Sequence, residues 1–575
     1  MINRSLLLIA VVLVSSCLQK KSLDMQNDIR TFTNPLNINY RFALDSPSRR
    51  EAADPTVVKF KGSYLLFASK SGGYWHSDDL LDWQFIETNE IPTEEYAPTA
   101  IAIGDTLFFL ASSREKSTIY QSTDPMSGKW EVAVEELDEP VWDPAFFLDD
   151  DNRLYLYWGC SNQDPIYGVE LDRENQFSFL GKPAELIHQR PEVLGWEVPG
   201  DHNQLINQRP WIEGPWINKI EGKYYLQYSG PGTEYESYAD AVYVSDSALG
   251  PYELQPHNPF VYKPGGFGNG AGHGSTFTDD HGNMWHMGTI TISQKHIFER
   301  RLAMSPVFID EQGTLYTNTK YGDRPMVLPE KKIESIEEIN PQWQLLSYDK
   351  EVEVSSVIDS LPVSNITDEN IRTYWAAQSG SANEYVILDL GEKVTVRAIQ
   401  INFAEHGSEL MGINKTSFHR YQLDYSSDKK TWTNISSSQS AEQDLSHHYL
   451  QLPKAIKCRY IKVSNESVPS GNFAMSDLRV FGVGNGDKPE AVTTFNTLRN
   501  KADRRSVTLN WTPSSKATGY YINYGLDPNT LYQTYLVYKD TTVTINSLNA
   551  ELDYEFMIEA FNENGISSPT STGKN

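Results

Sequence analysis

Cysteine is nearly absent from this chain: three in 575 residues. Cys160 and Cys458 fall in different predicted domains, so no disulfide framework is expected, and no Cys/His spacing of the zinc type occurs. Positive charge is also scarce. There are 49 Lys and Arg against 76 Asp and Glu, a formal net charge of -27, and no basic patch. Nucleic acid is thereby excluded as a partner, and long-range attraction to a polyanion is unfavourable. Long amphipathic helical patterns are few, whereas tyrosine (32), glycine (37) and proline (30) are plentiful, which argues for an all-β protein. The length allows several domains. The N-terminal apolar stretch, Leu6 to Val14, is too short for a normal membrane span.

What is present is a repeat. "DPTVVKFKGSYLLFAS" begins at Asp54, "APTAIAIGDTLFFLASS" at Ala97, "DPAFFLDDDNRLYLYWG" at Asp143, "WIEGPWINKIEGKYYLQYS" at Trp211 and "HGSTFTDDHGNMWHMGT" at His273. Each has a short apolar strand, a turn rich in Gly, Asp or Asn, and a second strand heavy in aromatic and aliphatic residues. These are β-hairpins, and five copies predict blades around an axis. Asp54 and Asp143 stand one residue before the aligned Pro, Glu213 and His273 two before the aligned Pro or Ser, and Ala97 takes this place in the second copy. In a propeller such positions converge on the central channel. Three carboxyl groups brought together are costly unless something uses or neutralises them. Other Asp-Pro pairs, at Asp124, Asp164 and Asp527, lack this register and mark turns.

"ADPT", "WDPAFFLDDDNRLYLYWG" and "IEGPWINKIEGKYYLQYS" resemble, in order and in context, the motifs of glycoside hydrolase family 43, a five-bladed β-propeller family. The resemblance covers roughly residues 40 to 330. It implies an inverting mechanism with Asp54 as general base, Glu213 as general acid, and Asp143 as the group that orients the acid and raises its pKa. "NGAGHGS" resembles the family's histidine motif, which makes His273 a channel residue able to hold a metal ion or water. No cofactor is required on this expectation, and a structural calcium is allowed. Inversion needs one carboxylate to activate water and one carboxylic acid to protonate the leaving oxygen, about 6.5–9.5 Å apart. Trp75, Trp142, Trp196 and Trp216 are candidates to stack on a sugar ring. Of Arg300 and Arg301, Arg301 is taken as the substrate-binding one.

The expected activity is exo-acting release of a pentose, of β-xylosidase or α-L-arabinofuranosidase type, from plant or algal glycans. Release of galactose is an alternative within the class, and a non-catalytic surface glycan-binding protein is an alternative outside it. The predicted substrate is therefore an oligo- or polysaccharide, and the predicted state a monomer. "VSSC" resembles a bacterial lipoprotein box, so cleavage before Cys17 and lipid attachment there, at a periplasmic or cell-surface membrane face, are expected; an ordinary secretory peptide is the alternative. The predicted domains are a signal segment (1–17), a five-bladed propeller (30–335) and two β-sandwiches (345–485 and 489–573). Within the first sandwich, "NITDENIRTYWAAQ" and "EYVILDLGEKVTVRAIQINF" resemble a discoidin-type module close to carbohydrate-binding module family 32. Trp375 is read as core, and His406, Asn472 and Phe473 as candidate sugar contacts. "SVTLNWTPSSKATGYYINYG" and "YEFMIEAFNENGISSPTS" resemble a fibronectin type III domain, expected to act as a spacer or spine, with Trp511 and Tyr554 in its core.

Overall fold

The computed structural model describes residues 29–45, 49–438 and 443–572. Cys17, the expected lipidation site, lies outside them. Among the described residues there is no α-helix; the chain is strands, turns and short 3-10 segments.

Five antiparallel sheets follow one another from Thr56 to Thr317 and form the five blades. Blade 1 is Thr56–Phe60, Ser63–Phe67, Gly73–Ser77 and Gln84–Glu87, and blade 2 is Thr99–Ile103, Thr106–Leu110, Ile119–Ser122 and Glu131–Val134. Blade 3 opens with Ala145–Leu148, Leu154–Trp158 and Ile166–Asp172; blade 4 is Ile212–Ile220, Lys223–Gly230, Ala239–Ser245 and Glu253–Leu254. Blade 5 is Ser275–Thr278, Met284–Thr291, Arg300–Ile309 and Leu315–Thr317. The hairpins have local causes. Lys61-Gly62 and Glu221-Gly222 take positive φ at both positions, the turn geometry that matches strand twist.

The second strands are apolar along their whole length because both faces are used. Tyr64 and Leu66 point into the layer shared with blade 5, which holds Trp75 and Trp285, while Leu65 and Phe67 point into the layer shared with blade 2. In blade 3, Leu154 and Leu156 face blade 2 and Tyr155 and Tyr157 face blade 4. Strand periodicity thus deals alternate side chains to two inter-blade layers, each fully buried large side chain being worth about 1.5–3 kcal/mol. The ring closes by packing between blades 1 and 5, and Thr31–Phe32 pairs with Met326–Val327 beyond blade 5.

The two sandwiches fold back onto the propeller. In the first, Tyr385–Phe403, His447–Ser467 and Ala474–Val483 build the sheet around Trp375, Phe403 and Phe473. Arg50, 1% exposed and adjacent to the site described below, pairs with Glu405 and, at 2.5 Å, with Asp444 of this domain. Arg479 pairs with Glu369 at 2.8 Å and lies over the Phe267 ring of the propeller. The fibronectin-like domain packs directly on the propeller: Tyr532 stacks on Tyr316 of blade 5 at 3.7 Å, and the Gly195 N–H donates to the Leu548 carbonyl at 2.9 Å. Its core holds Trp511 and Tyr554. Arg50→Ala removes the guanidinium that two buried carboxylates share, leaving Asp444 only His419 at 2.9 Å. It is expected to lower stability by about 3–5 kcal/mol, read as a lower urea midpoint for the transition that reports the propeller and first sandwich.

Candidate active site

Every blade is entered through a tight elbow. The residues at positive φ are Asp54 (52°), Ala97 (47°), Asp143 (49°), Gly214 (58°) and His273 (46°). Each stands two residues before Thr56, Thr99, Ala145, Trp216 and Ser275, where the first strand settles into its hairpin register. The backbone therefore corrects the sequence alignment: His273 is equivalent to Asp54 and Asp143, and Glu213 sits one residue ahead of its elbow. Gly214 is needed there twice over. Its φ suits glycine, and a Cβ would lie 2.6 Å from Cγ of His273.

A left-handed conformation costs a non-glycine residue about 1–3 kcal/mol, so something must hold the elbows. A hydroxyl near the end of the preceding blade's second strand does so. The Ala97 N–H donates to Ser69 Oγ (2.8 Å), Asp143 to Ser112 (2.8 Å), His273 to Ser229 (2.7 Å) and Asp54 to Thr289 (3.0 Å). Three of these hydroxyls also donate to a carboxylate: Ser69 to Asp54 at 2.5 Å, Ser112 to Asp143 at 3.1 Å and Ser229 to Asp240 at 2.5 Å. In blade 3 the place belongs to Cys160, whose Sγ is 3.3 Å from Glu213 Oε2. None of these five residues is singled out by the sequence patterns, although their common place near the end of the second strand is a usable signal.

The elbows bring Asp54, Asp143 and His273 together around one nitrogen. His273 Nδ1 is 3.4 Å from Asp54 Oδ1 and 3.5 Å from Asp143 Oδ2. Glu213 accepts from the Tyr238 hydroxyl at 2.5 Å through Oε1 and meets Cys160 through Oε2. One side-chain oxygen or sulfur atom from each of Asp143, Cys160 and Glu213 lies within 4.8 Å of the others.

The carboxyls differ in ionisation. Burial opposes charge on Asp54, but Arg300, bonded to it at 2.9 Å, together with His273 and Ser69, outweighs burial and holds its pKa below the usual value. Asp143 is pushed up to about 7, first by burial; Glu213 and Asp54 add to the rise, and His273 and Ser112 oppose it. Protons on such close carboxyls belong to the pair rather than to either member. Burial lowers His273, yet Asp54, Asp143 and Glu213 together raise it above its ordinary value. Calcium takes about six to eight oxygens. The two carboxylates here are already engaged by Arg300 and Ser112 and flank a nitrogen, so this set does not fit a calcium ion.

Several expected contacts fall elsewhere. Trp75 is completely buried, edge-on to Phe85, and Trp196 is 1% exposed, so neither offers a face to a sugar. Trp216 spends its indole N–H on the Thr276 carbonyl. Trp142 stays half-exposed beside Asp143, with Arg114 over its ring. Arg301 points away from the site to His447 and the Arg50 carbonyl; strand alternation sends its neighbour Arg300 to Asp54 and Glu51 instead. Tyr96 and Phe298, not singled out by the sequence, lie 5.6 Å apart beside Arg300, both partly exposed. In the first sandwich, Phe473 is fully buried against Trp375 and is core. Asn472 gives its amide to the Ala377 carbonyl, and His406 meets the Tyr374 hydroxyl; both stay partly exposed.

Residues 48–315 match the model of Glycosyl hydrolases family 43, 351–477 that of the F5/8 type C domain, and 491–573 that of the Fibronectin type III domain. Similar curated proteins include the beta-D-galactofuranosidase xynD of Aspergillus niger, 27% identical over 263 residues, which are 40% of this chain and 70% of that protein. A xylan 1,3-beta-xylosidase of Vibrio sp is 25% identical over 36% of this chain and 41% of its own. A xylosidase/arabinosidase of Butyrivibrio fibrisolvens is 29% identical over 41% of this chain and 48% of its own. The chain thus spans between 41% and 70% of the length of these relatives.

Proposed function

We propose that this chain, whose residues 48–315 are a glycosyl hydrolase family 43 domain, is an exo-acting, inverting glycoside hydrolase that releases a pentose. Asp54 is the general base, Glu213 the general acid, and Asp143 the partner that shares the acid's proton. One observation carries this reading: the two carboxyls facing His273 are driven apart in ionisation, Asp54 held charged by Arg300 and Asp143 pushed up to about 7. Opposed ionisation of neighbouring carboxyls is what acid–base division of labour requires. A glycan-binding protein without turnover has no use for it.

In the reaction, Asp54 takes a proton from water as the water oxygen bonds to the anomeric carbon. The bond from that carbon to the leaving oxygen breaks, and Glu213 gives that oxygen its proton. The Asp143–Glu213 pair is then recharged from solvent and Asp54 returns its proton to water. Attack and departure on opposite faces invert the anomeric centre. Trp142, Tyr96 and Phe298 supply the partly exposed aromatic surface for the sugar.

The relatives' names include xylosidase, arabinosidase and galactofuranosidase, so the pentose is chosen between β-D-xylose and α-L-arabinofuranose, with β-D-galactofuranose, a hexose, as the competing outcome. A panel of the three nitrophenyl glycosides, followed by oligosaccharides, is expected to give release of one with proton NMR recording the inverted anomer first. A retained anomer overturns the mechanism. Binding of oligosaccharides with no release from any of them overturns the enzyme reading.

A further inference from the structure

The ring of second-strand residues is Ser69, Ser112, Cys160, Ser229 and Thr289, and blade 3 alone breaks the run of hydroxyls. The exception falls at the acid. Cys160 pairs backbone to backbone with Glu213 across the sheet edge, which sets the two side chains next to each other. Its Sγ is 3.3 Å from Glu213 Oε2 and shares a cluster with the Asp143 carboxyl. Elsewhere in the ring Ser69, Ser112 and Ser229 each donate to a carboxylate, at 2.5, 3.1 and 2.5 Å, and in each case that bond pulls the carboxyl toward its charged form, with burial outweighing it at Asp143 and Asp240. An O–H bond to a carboxylate is strong and favours the charged form, whereas a thiol is a weak donor.

We propose that Cys160 is a positioning residue for the reaction, a weak donor set between Asp143 and Glu213 so that the pair keeps its proton available to the leaving oxygen. This rests on the function proposed above. The thiol is itself held neutral: burial, then Asp143 and Glu213, push it far above its ordinary value, so it is neither nucleophile nor charge. The other groups facing the pair are fixed whichever residue stands at 160. Glu213 is faced by Tyr238, His273 and Glu234, and Asp143 by His273, Ser112 and Asp54, the last charged against Arg300.

Two substitutions move the pair in opposite senses. Cys160→Ser places a strong donor on the ionised pair, and the basic limb of the kcat/KM profile is expected to move to lower pH by about half a unit to one unit. Cys160→Val fills the space with no donor, and the limb is expected to move the other way. Cys160→Thr carries the same hydroxyl and stands in should the serine variant not fold. A purely structural role changes rates without moving the limb in two directions. An infrared titration of the carboxylic-acid C=O band, assigned by its change in Glu213→Gln, follows the same proton without substrate. It separates the two claims: a protein inactive on every glycoside still reports whether the serine and valine variants shift the band oppositely. Equal titrations in wild type, serine and valine variants, or shifts of the same sign, overturn the proposal.

Discussion

Asp54→Asn is expected to lower kcat/KM by about 10²–10⁴-fold on every glycoside hydrolysed, whatever its leaving group. Water activation is common to all substrates of an inverting reaction, because no covalent intermediate offers a second route. The surroundings of Asp54 are built around a charge. Ser69 and Arg300 each bond one of its oxygens, at 2.5 and 2.9 Å, and Arg300 is tied in turn to Glu51. Asn keeps the shape and the elbow, since its small polar side chain tolerates left-handed φ, but it accepts no proton from water. A series of aryl glycosides with phenols of graded acidity should therefore show parallel losses. Added azide should not restore the rate. Losses that grow with leaving-group basicity would reassign Asp54 to the acid's role.

Glu213→Gln is expected to divide substrates by leaving group. With natural oligosaccharides the loss should again reach about 10²–10⁴-fold, because an alkoxide cannot depart unprotonated. With an acidic nitrophenol it should be far smaller. The Tyr238 hydroxyl and the Cys160 thiol can still meet the amide, so the fold survives the exchange. The pH profile carries a second signature. In the wild type, activity is expected to fall on the basic side as Asp143, pushed up to about 7, loses its proton. On the acid side it falls only when Asp54 takes up a proton, below the ordinary carboxylate range because Arg300 and His273 outweigh its burial. With an acidic leaving group the Glu213→Gln variant needs no acid, so its basic limb should flatten while the acid limb stays. A uniform loss with an unchanged basic limb would remove Glu213 from the acid role.

Much of this molecule is written locally. Apolar second strands such as "SYLLF" and "LYLYW", with Lys-Gly and Glu-Gly turns, specify hairpins through contacts within a few residues, and their repetition dictates the five blades. Asp54, Asp143, Glu213 and His273 are legible for the same reason: each stands at a fixed place relative to its own hairpin. The rest depends on residues far apart in the chain. Whether Arg300 or Arg301 reaches Asp54 is a matter of strand phase, and the partner lies 246 residues away. Trp75 and Trp142 look alike as aromatic residues near a motif, but one fills the layer between blades 1 and 5 and the other stays partly exposed. Glu213 and His273 look equivalent by counting back from the hairpin. Only the backbone shows that Gly214 takes the elbow, because the His273 ring occupies the space a Cβ would need. The same holds for charge. Sequence puts three carboxyls at one axis, but their ionisation follows from Arg300 and His273 beside Asp54 and from the burial of Asp143, which no single strand determines. Local periodicity is enough to specify hairpins and their count, while ionisation and side-chain direction are sums over neighbours that meet only when the ring has closed.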